Sequence, residues 1–226
     1  MPPAASIPEY LLDTYWWAYV HPRAVRLFER QWLVNLILWG NFRKLRDAAL
    51  DALGASIPGR TLQVACVYGD FTPRLAGRVP ANGSLDVVDV LPIQLANLRA
   101  KLGGAMRASL VHRDASDLGF DDASYDRAVL FFLLHEMPLE VRRRTLSEAM
   151  RVLKPGGRLV IVDYHRPRAW HPLRAPMRWI LTHLEPFAMD LWREPIDAWM
   201  PDVPCARVER ETFYGGLYQK LVVSKA

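Results

Sequence analysis

The sequence predicts an α/β protein: a mostly parallel sheet, covered by helices, that ends in an antiparallel hairpin. Three observations carry this. Between residues 61 and 164, short β-branched or aromatic runs alternate with segments of helical period, the pattern of strands joined by crossover helices. After Pro204, the runs "ARVERETFY" and "LYQKLVVSK" meet at Gly215 and Gly216, a hairpin signal. The junction "VACVYGDFT" (64–72) passes from strand to helix, where open parallel sheets hold their ligands.

The elements follow in order. From Tyr10 to Leu53 the pattern is helical and unusually aromatic, with Tyr15, Trp16, Trp17, Tyr19, Phe28, Trp32, Trp39 and Phe42. Ala24, Leu27, Phe28, Trp32, Asn35 and Leu36 recur at helical steps, which predicts one apolar face. The turn-rich "GASIPGR" (54–60) closes this region. Strands are expected at "TLQVACV", "SLDVVDV", "ASLVH", "YDRAVLFFLL" and "GRLVIVDY", with helices starting near Thr72, Pro92 and Leu139. The last is introduced by Pro138 and stopped by "KPGG" (154–157). A Trp- and Arg-rich insertion spans 165–204, with Leu173, Met177, Ile180, Leu181 and Leu184 on one helical face and Arg174 and Arg178 on another. It reads either as a helix packed on the sheet or, with the N-terminal helices, as a roof that also touches membrane. One domain in four parts is expected: an N-terminal helical cap (1–60), a core (61–164), the insertion (165–204) and the hairpin (205–226).

Composition narrows the function. The formal charge of +5 suits an anionic membrane surface or solvated surface arginines, and no zinc-finger spacing or RNA-binding signature points to nucleic acid. Two cysteines, Cys66 and Cys205, without a CxxC pair, argue against a disulfide framework and for a reducing compartment. The start "MPPAASIPEYLLD" lacks the layout of a secretory signal. The apolar run "WLVNLILW" falls far short of the roughly 20 residues that span a bilayer. The chain is expected to be neither exported nor membrane-spanning.

The strand ends supply candidate chemistry. Asp89 ends the second strand, placed to accept hydrogen bonds from both hydroxyls of a ribose. Asp114 and Ala115 follow the third, in "HRDASDLGFDDASYD". The fourth ends "FFLLHEM", with His135 and Glu136, and the fifth "VDYHR", with Asp163 and His165. These four suit acid–base work or a divalent metal such as manganese, iron or zinc, unless each is a loop residue with a local hydrogen bond.

A parallel sheet finished by an antiparallel hairpin is the pattern of class I S-adenosylmethionine (SAM)-dependent methyltransferases, a Rossmann-like fold with a seven-stranded sheet. Over 61–164 the chain resembles the ubiquinone and menaquinone C-methyltransferases. Their segment L-D-x-A-G-G-T-G-D-x-T aligns with residues 62–72, and "VVDVLPIQL", "DASDLGFDDASYD" and "RVLKPGGRLVIVDY" match further segments. There are departures: Gln63 replaces the acid of the first strand, and Cys66 and Val67 replace glycines beside Tyr68. That altered set, with "LLHE", "VDYHRP" and "DTYWWAYVHP", resembles the rhodoquinone-biosynthesis proteins of the RquA family over nearly the whole chain.

This second resemblance implies that ubiquinone is converted to rhodoquinone, a ring methoxy group giving way to an amino group. SAM would be the amino donor, with a divalent metal, manganese, taking part. It further implies cofactor contacts at Gln63, Ala65, Val67, Tyr68, Gly69, Asp70, Asp89, Val90, Asp114, Ala115 and Phe131. Catalytic roles would fall to Tyr68, His135, Glu136, Asp163 and His165, the last four doubling as metal ligands. Ubiquinone and an anionic membrane are the expected partners, at the cytoplasmic side of the inner membrane; the oligomeric state is not legible.

The chemistry gives the altered loop a rationale. A carboxylate beside an ammonium favours its charged form, which has no lone pair with which to attack a quinone. Gln63 would remove that bias, and the bulk of Val67 and Tyr68 would displace the amino-acid tail; a base among the four strand-end residues would then take the proton. Tyr68 would orient the tail or protonate a quinone oxygen, unless its role is packing. Two rival readings are an ordinary SAM-dependent quinone methyltransferase and a non-catalytic SAM-fold subunit that binds lipid or partners.

Overall fold

The computed structural model describes residues 6–16, 21–103, 108–203 and 205–226; Trp17 and Tyr19 of the aromatic N-terminal stretch lie outside them. Four helices precede the sheet: α1 (Glu9–Tyr15), α2 (Pro22–Phe28), α3 (Gln31–Ile37) and α4 (Phe42–Leu53). Pro22 opens α2 behind an N-cap at His21, whose Nδ1 accepts the Arg23 N–H. At Arg30 the chain turns extended (φ −67°, ψ 113°), so α3 starts in a new direction. The break corrects the expectation of one apolar face from Ala24 to Leu36. Leu27, Trp32 and Leu36 are instead 47%, 60% and 63% exposed, and α3 buries no residue fully. By contrast, α4 buries Phe42, Leu45, Ala49, Leu50 and Leu53 against the sheet.

The sheet has seven strands: β1 (Gly59–Val64), β2 (Gly83–Asp89), β3 (Ala108–His112), β4 (Tyr125–Phe131), β5 (Leu153–Tyr164), β6 (Cys205–Phe213) and β7 (Tyr218–Lys225). Their order is β3-β2-β1-β4-β5-β7-β6, and β7 runs antiparallel to both its neighbours. The central strands are covered on both faces, which is why they read as continuous apolar runs: Val129, Leu130, Val160 and Ile161 are all fully buried. Crossovers are made by α5 (Phe71–Ala76), α6 (Pro92–Leu102) and α7 (Leu139–Val152). Helix α7 stops at Val152, and "KPGG" lies inside β5 rather than ending the helix. It forms an irregularity there, since Tyr125 pairs with Leu153 but Arg127 already with Arg158. The hairpin turns through Gly215 (φ 62°) and Gly216 (φ 89°), a left-handed backbone that glycine adopts without strain.

Between β5 and β6 lie α8 (Arg174–Leu184), α9 (Asp190–Arg193) and a 3₁₀ turn at Ile196–Trp199. Met177 and Leu181 of α8 are buried, as the apolar face predicts, whereas Leu184 is 47% exposed. Sheet order therefore brings the carboxyl ends of β1, β2, β4 and β5 to one edge, with α1, α3 and α8 near them.

Candidate active site

At the end of β1 the chain leaves the sheet through Ala65, a non-glycine residue in left-handed backbone (φ 71°) whose N–H donates to the Val88 carbonyl. The next N–H, of Cys66, donates to Asp89 Oδ2 at 2.7 Å, and that of Leu91 donates to Asp89 Oδ1 at 2.8 Å. Burial pushes the Asp89 carboxyl up, and these two N–H groups pull against it. Asp89, Val90, Asp114 and Ala115 line a narrow cleft whose far wall is Tyr10 and Leu11 of α1. Asp114 Oδ1 accepts the Ser116 N–H at 2.7 Å. The donor set fits a nucleoside: each Asp89 oxygen retains a lone pair for a ribose hydroxyl, Val90 offers apolar surface to a base, and Asp114 offers a carboxylate to its amine.

The loop after Ala65 is clamped from outside. Gly69 N–H donates to Glu29 Oε1 at 3.1 Å, and Asn97 donates to Glu29 Oε2 at 2.7 Å. Lys101 pairs with Glu29 at 2.6 Å and donates to the carbonyls of Val67 (3.1 Å) and Gly69 (2.8 Å). Gly69 (φ 78°) is required here, because a Cβ would lie 3.0 Å from Phe42 Cζ. Gln63 is fully buried under this loop, its amide nitrogen donating to the Ala65 carbonyl and to Thr72 Oγ1, both at 2.9 Å. Its Oε1 is buried without a hydrogen-bond donor. Asp70 is drawn away to Arg46 (2.8 Å) and Arg74 (2.5 Å). Burial would raise its carboxyl, but the two guanidiniums outweigh it and hold it below its ordinary value. Ala65, Val67 and Tyr68 therefore reach a cavity wall, as does Cys66, whereas Gln63, Gly69 and Asp70 line none.

Beside the cleft lies an apolar cavity of about 510 Å³, which shares Cys66, Tyr68, Phe132 and Glu136 with it. Phe28, Val34, Phe42, Val67, Phe131, Met177 and Ile180 contribute to its walls. Tyr68 stands at the junction, its ring stacked on Phe28 (6.0 Å) and its hydroxyl accepting from Gln94 at 2.7 Å. Phe131 is backed by Phe71 at 4.4 Å.

One end of the cavity is polar, lined by His135, Glu136, Tyr164 and Glu185. His135 Nδ1 lies 3.0 Å from Asp163 Oδ1, and its Nε2 lies 3.6 Å from Glu136 Oε1. Asp163 has no exposure and also accepts the N–H groups of Leu134 (2.8 Å), His135 (3.3 Å) and Tyr164 (2.7 Å). Burial opposes charge on His135, but the carboxylates of Asp163, Glu185 and Glu136 prevail and lift it to about 9. At neutral pH this favours the imidazolium, so that of the four strand-end candidates for acid–base work His135 is suited to the acid's part.

Two residues here escaped sequence reasoning. Glu185 follows α8; burial pushes its carboxyl up, and His135 and a hydrogen bond from Tyr15 pull it partly back. Arg142 is fully buried and donates to the carbonyls of Leu134 (3.0 Å), Met137 (2.9 Å) and Phe187 (2.9 Å), fixing the turn that presents His135 and Glu136. A long-range carboxylate and a buried arginine carry no local signal.

His165 stands apart: its Nδ1 is 2.8 Å from the Gly216 carbonyl, and it lines neither cavity. Among the described residues no group of three or more His, Cys, Asp or Glu is placed to hold a metal ion. Four donors already occupy the Asp163 oxygens, so the quartet His135, Glu136, Asp163 and His165 does not fit a metal as arranged. His165→Ala is expected to leave turnover within about two-fold of the parent, the range of a change remote from the site; steady-state kinetics checks this.

The sheet order and terminal hairpin, with a nucleoside-type cleft at the strand ends, define the class I SAM-dependent methyltransferase fold. Comparison with known proteins agrees: residues 61–157 match the family described as the methyltransferase domain. The chain is 34% identical to a demethylmenaquinone methyltransferase of Clavibacter sepedonicus, over 59% of this chain and 52% of that protein. It is 30% identical to a ubiquinone/menaquinone biosynthesis C-methyltransferase of Geobacter sp. (strain M21), over 60% of this chain and 58% of that protein. Among solved structures, the N-methyltransferase NodS of Bradyrhizobium japonicum WM9 with S-adenosyl-L-homocysteine superposes with a TM-score of 0.56. That match has 16% identity and covers 81% of this chain and 86% of that one. The chain therefore has the methyltransferase fold and is similar in sequence to quinone methyltransferases, spanning somewhat over half the length of these curated relatives. Among the described residues no helix is long and apolar enough to cross a membrane.

Proposed function

We propose that the protein is a SAM-dependent enzyme that acts on a lipid quinone, replacing a ring methoxy group of ubiquinone by an amino group to give rhodoquinone. The observation that carries this reading is the union of two spaces. A nucleoside cleft centred on Asp89 adjoins, across the shared residues Tyr68 and Glu136, an apolar cavity of about 510 Å³ with an acid at its end. SAM bound in the cleft would supply the transferable group. Asp89 would hold its ribose and Asp114 its base, while Cys66 and Val67 fill space that glycines leave open in the C-methyltransferases, with Tyr68 adding bulk beside them.

The acid at the cavity end supplies what amination needs beyond the base that methylation also needs. A C-methyltransferase must remove a proton from its aromatic acceptor, which calls for a base. Attack of nitrogen on a quinone instead builds negative charge on a ring oxygen, which calls for a donor. His135, charged at neutral pH and braced by Asp163, is such a donor. Glu136 would accept the proton from the incoming nitrogen, and the methoxy group would leave as methanol. Release of the free ring amine would further need the donor's own carbon–nitrogen bond to break, a base taking a proton from the adjacent carbon so that the spent donor leaves as an unsaturated acid. No step is assigned to a metal, because the expected ligands do not gather. The same cavity would receive the first part of the isoprenoid tail. Incubation with ubiquinone and SAM tests the proposal: the expected product has lost one methoxy group and gained one amino group by mass, and a product enlarged by a methyl group would refute it.

A further inference from the structure

We propose that α3 and the exposed side of α8 form a docking surface for the interface of an anionic lipid bilayer, with the apolar cavity opening into it. The inference rests on the lipid-quinone reading above and names the partner that such a substrate requires. Leu36, Ile37, Trp39 and Leu184 line the cavity and are yet 63%, 43%, 40% and 47% exposed, which marks them as its rim. Outside the rim stand Trp32 and Trp179, 60% and 62% exposed, which line neither cavity. Helix α3 carries no charged residue and buries none of its side chains fully, so the fold spends no core on it. An aqueous surface seldom keeps an uncharged, solvent-facing helix of this kind, whereas a bilayer interface takes up Trp and Leu at its headgroup level.

Charge selects the lipid. Arg23, Arg26 and Arg30 flank α3 on the chain, and Arg174 and Arg178 lie on α8, which has no acid. Among the described residues none of these five is in an ion pair. The acid between them, Glu29, is already held by Lys101 and Asn97. An apolar rim with unpaired cations beside it complements a negative membrane surface, each cation strengthening attachment. A quinone whose tail stays in the bilayer would then enter through the rim without crossing water.

Flotation of the full chain with vesicles tests the surface. Vesicles of phosphatidylcholine alone are compared with vesicles of phosphatidylcholine and phosphatidylglycerol in equal parts, at low and high salt. The wild type is expected to float with the anionic vesicles, less with the neutral ones, and less again at high salt. Trp32→Glu with Trp179→Glu is expected to lower partitioning about a hundred-fold or more, since both apolar anchors are lost. Arg26→Glu with Arg30→Glu should abolish the preference for anionic vesicles. Wild-type protein that stays unbound at low salt overturns the proposal, as does binding that survives the tryptophan changes. So does a concentration-dependent dimer in sizing chromatography that Trp32→Glu dissolves, since a second copy would then be the occupant. Turnover of a short-tailed quinone without vesicles should be the same in both variants as in the wild type, which shows that they are folded. Docking without any quinone turnover would refute the proposed reaction and leave the surface standing.

Discussion

Asp163→Asn is expected to lower turnover of the quinone by about 10²- to 10⁴-fold, the range of a lost acid–base group, although Asp163 lines neither the cleft nor the cavity. Its carboxylate accepts three backbone N–H groups and holds the His135 ring at 3.0 Å. An asparagine of the same shape turns one acceptor into a donor facing those donors, and it removes the charge that keeps His135 protonated. Burial then prevails and the imidazole titrates at lower pH. In the wild type the acid form works below about pH 9, and kcat/KM falls as pH rises through that value. In Asp163→Asn the fall should begin at lower pH, a shift that a merely structural loss would not produce. His135→Gln should abolish the step altogether.

Stability follows the same group. Because the folded state raises the His135 pKa from 6.5 to about 9, the stabilisation it brings is fully present below pH 6.5. It is lost as pH climbs through about 9. Breaking the pair by Asp163→Asn also costs about 3–5 kcal/mol, as expected where a buried charge loses its partner. Thermal denaturation across that pH range measures both effects.

The second large effect falls on Asp89. Asp89→Asn weakens SAM binding by about 10²- to 10⁴-fold, since each of two hydrogen bonds to a charged oxygen is worth about 1.5–3 kcal/mol. The carboxylate also organises the loop through Cys66 and Leu91, so the change lowers stability too. Calorimetric titration separates these, because a folded variant that still binds within a few-fold of the parent would mean that the cleft is not the nucleoside site.

The parallel core was legible because strands buried on both faces must be continuously apolar and their helices amphipathic; "ASLVH" coincides with β3, and Pro92 opens α6. The hairpin was legible through Gly215 and Gly216. The helical character of residues 10–53 was legible too, but the breaks between the N-terminal helices were not. Their break at Arg30 is held by Glu29 reaching Lys101 and Gly69, partners far along the chain, so local periodicity suggested a face that the fold does not bury. The strand-end residues Asp89, Asp114, His135 and Glu136 come together at the cavities as their positions suggested. Strand alternation, however, could not tell that Asp163 serves His135 from behind or that His165 turns toward the hairpin. Glu185 joins His135 only through the packing of α8, and no spacing announces it. Gln63 was singled out where an acid was expected, yet its amide acts beneath the loop, at the Ala65 carbonyl.

One measurement reaches the central claim that this cleft and cavity pass nitrogen rather than methyl to the quinone ring. Purified protein is given ubiquinone with SAM labelled at the amino nitrogen, and in a parallel reaction with SAM labelled at the sulfonium methyl. The account predicts nitrogen label in the quinone and none from the methyl; methyl label in the ring, with nitrogen label left in the spent cofactor, would contradict it.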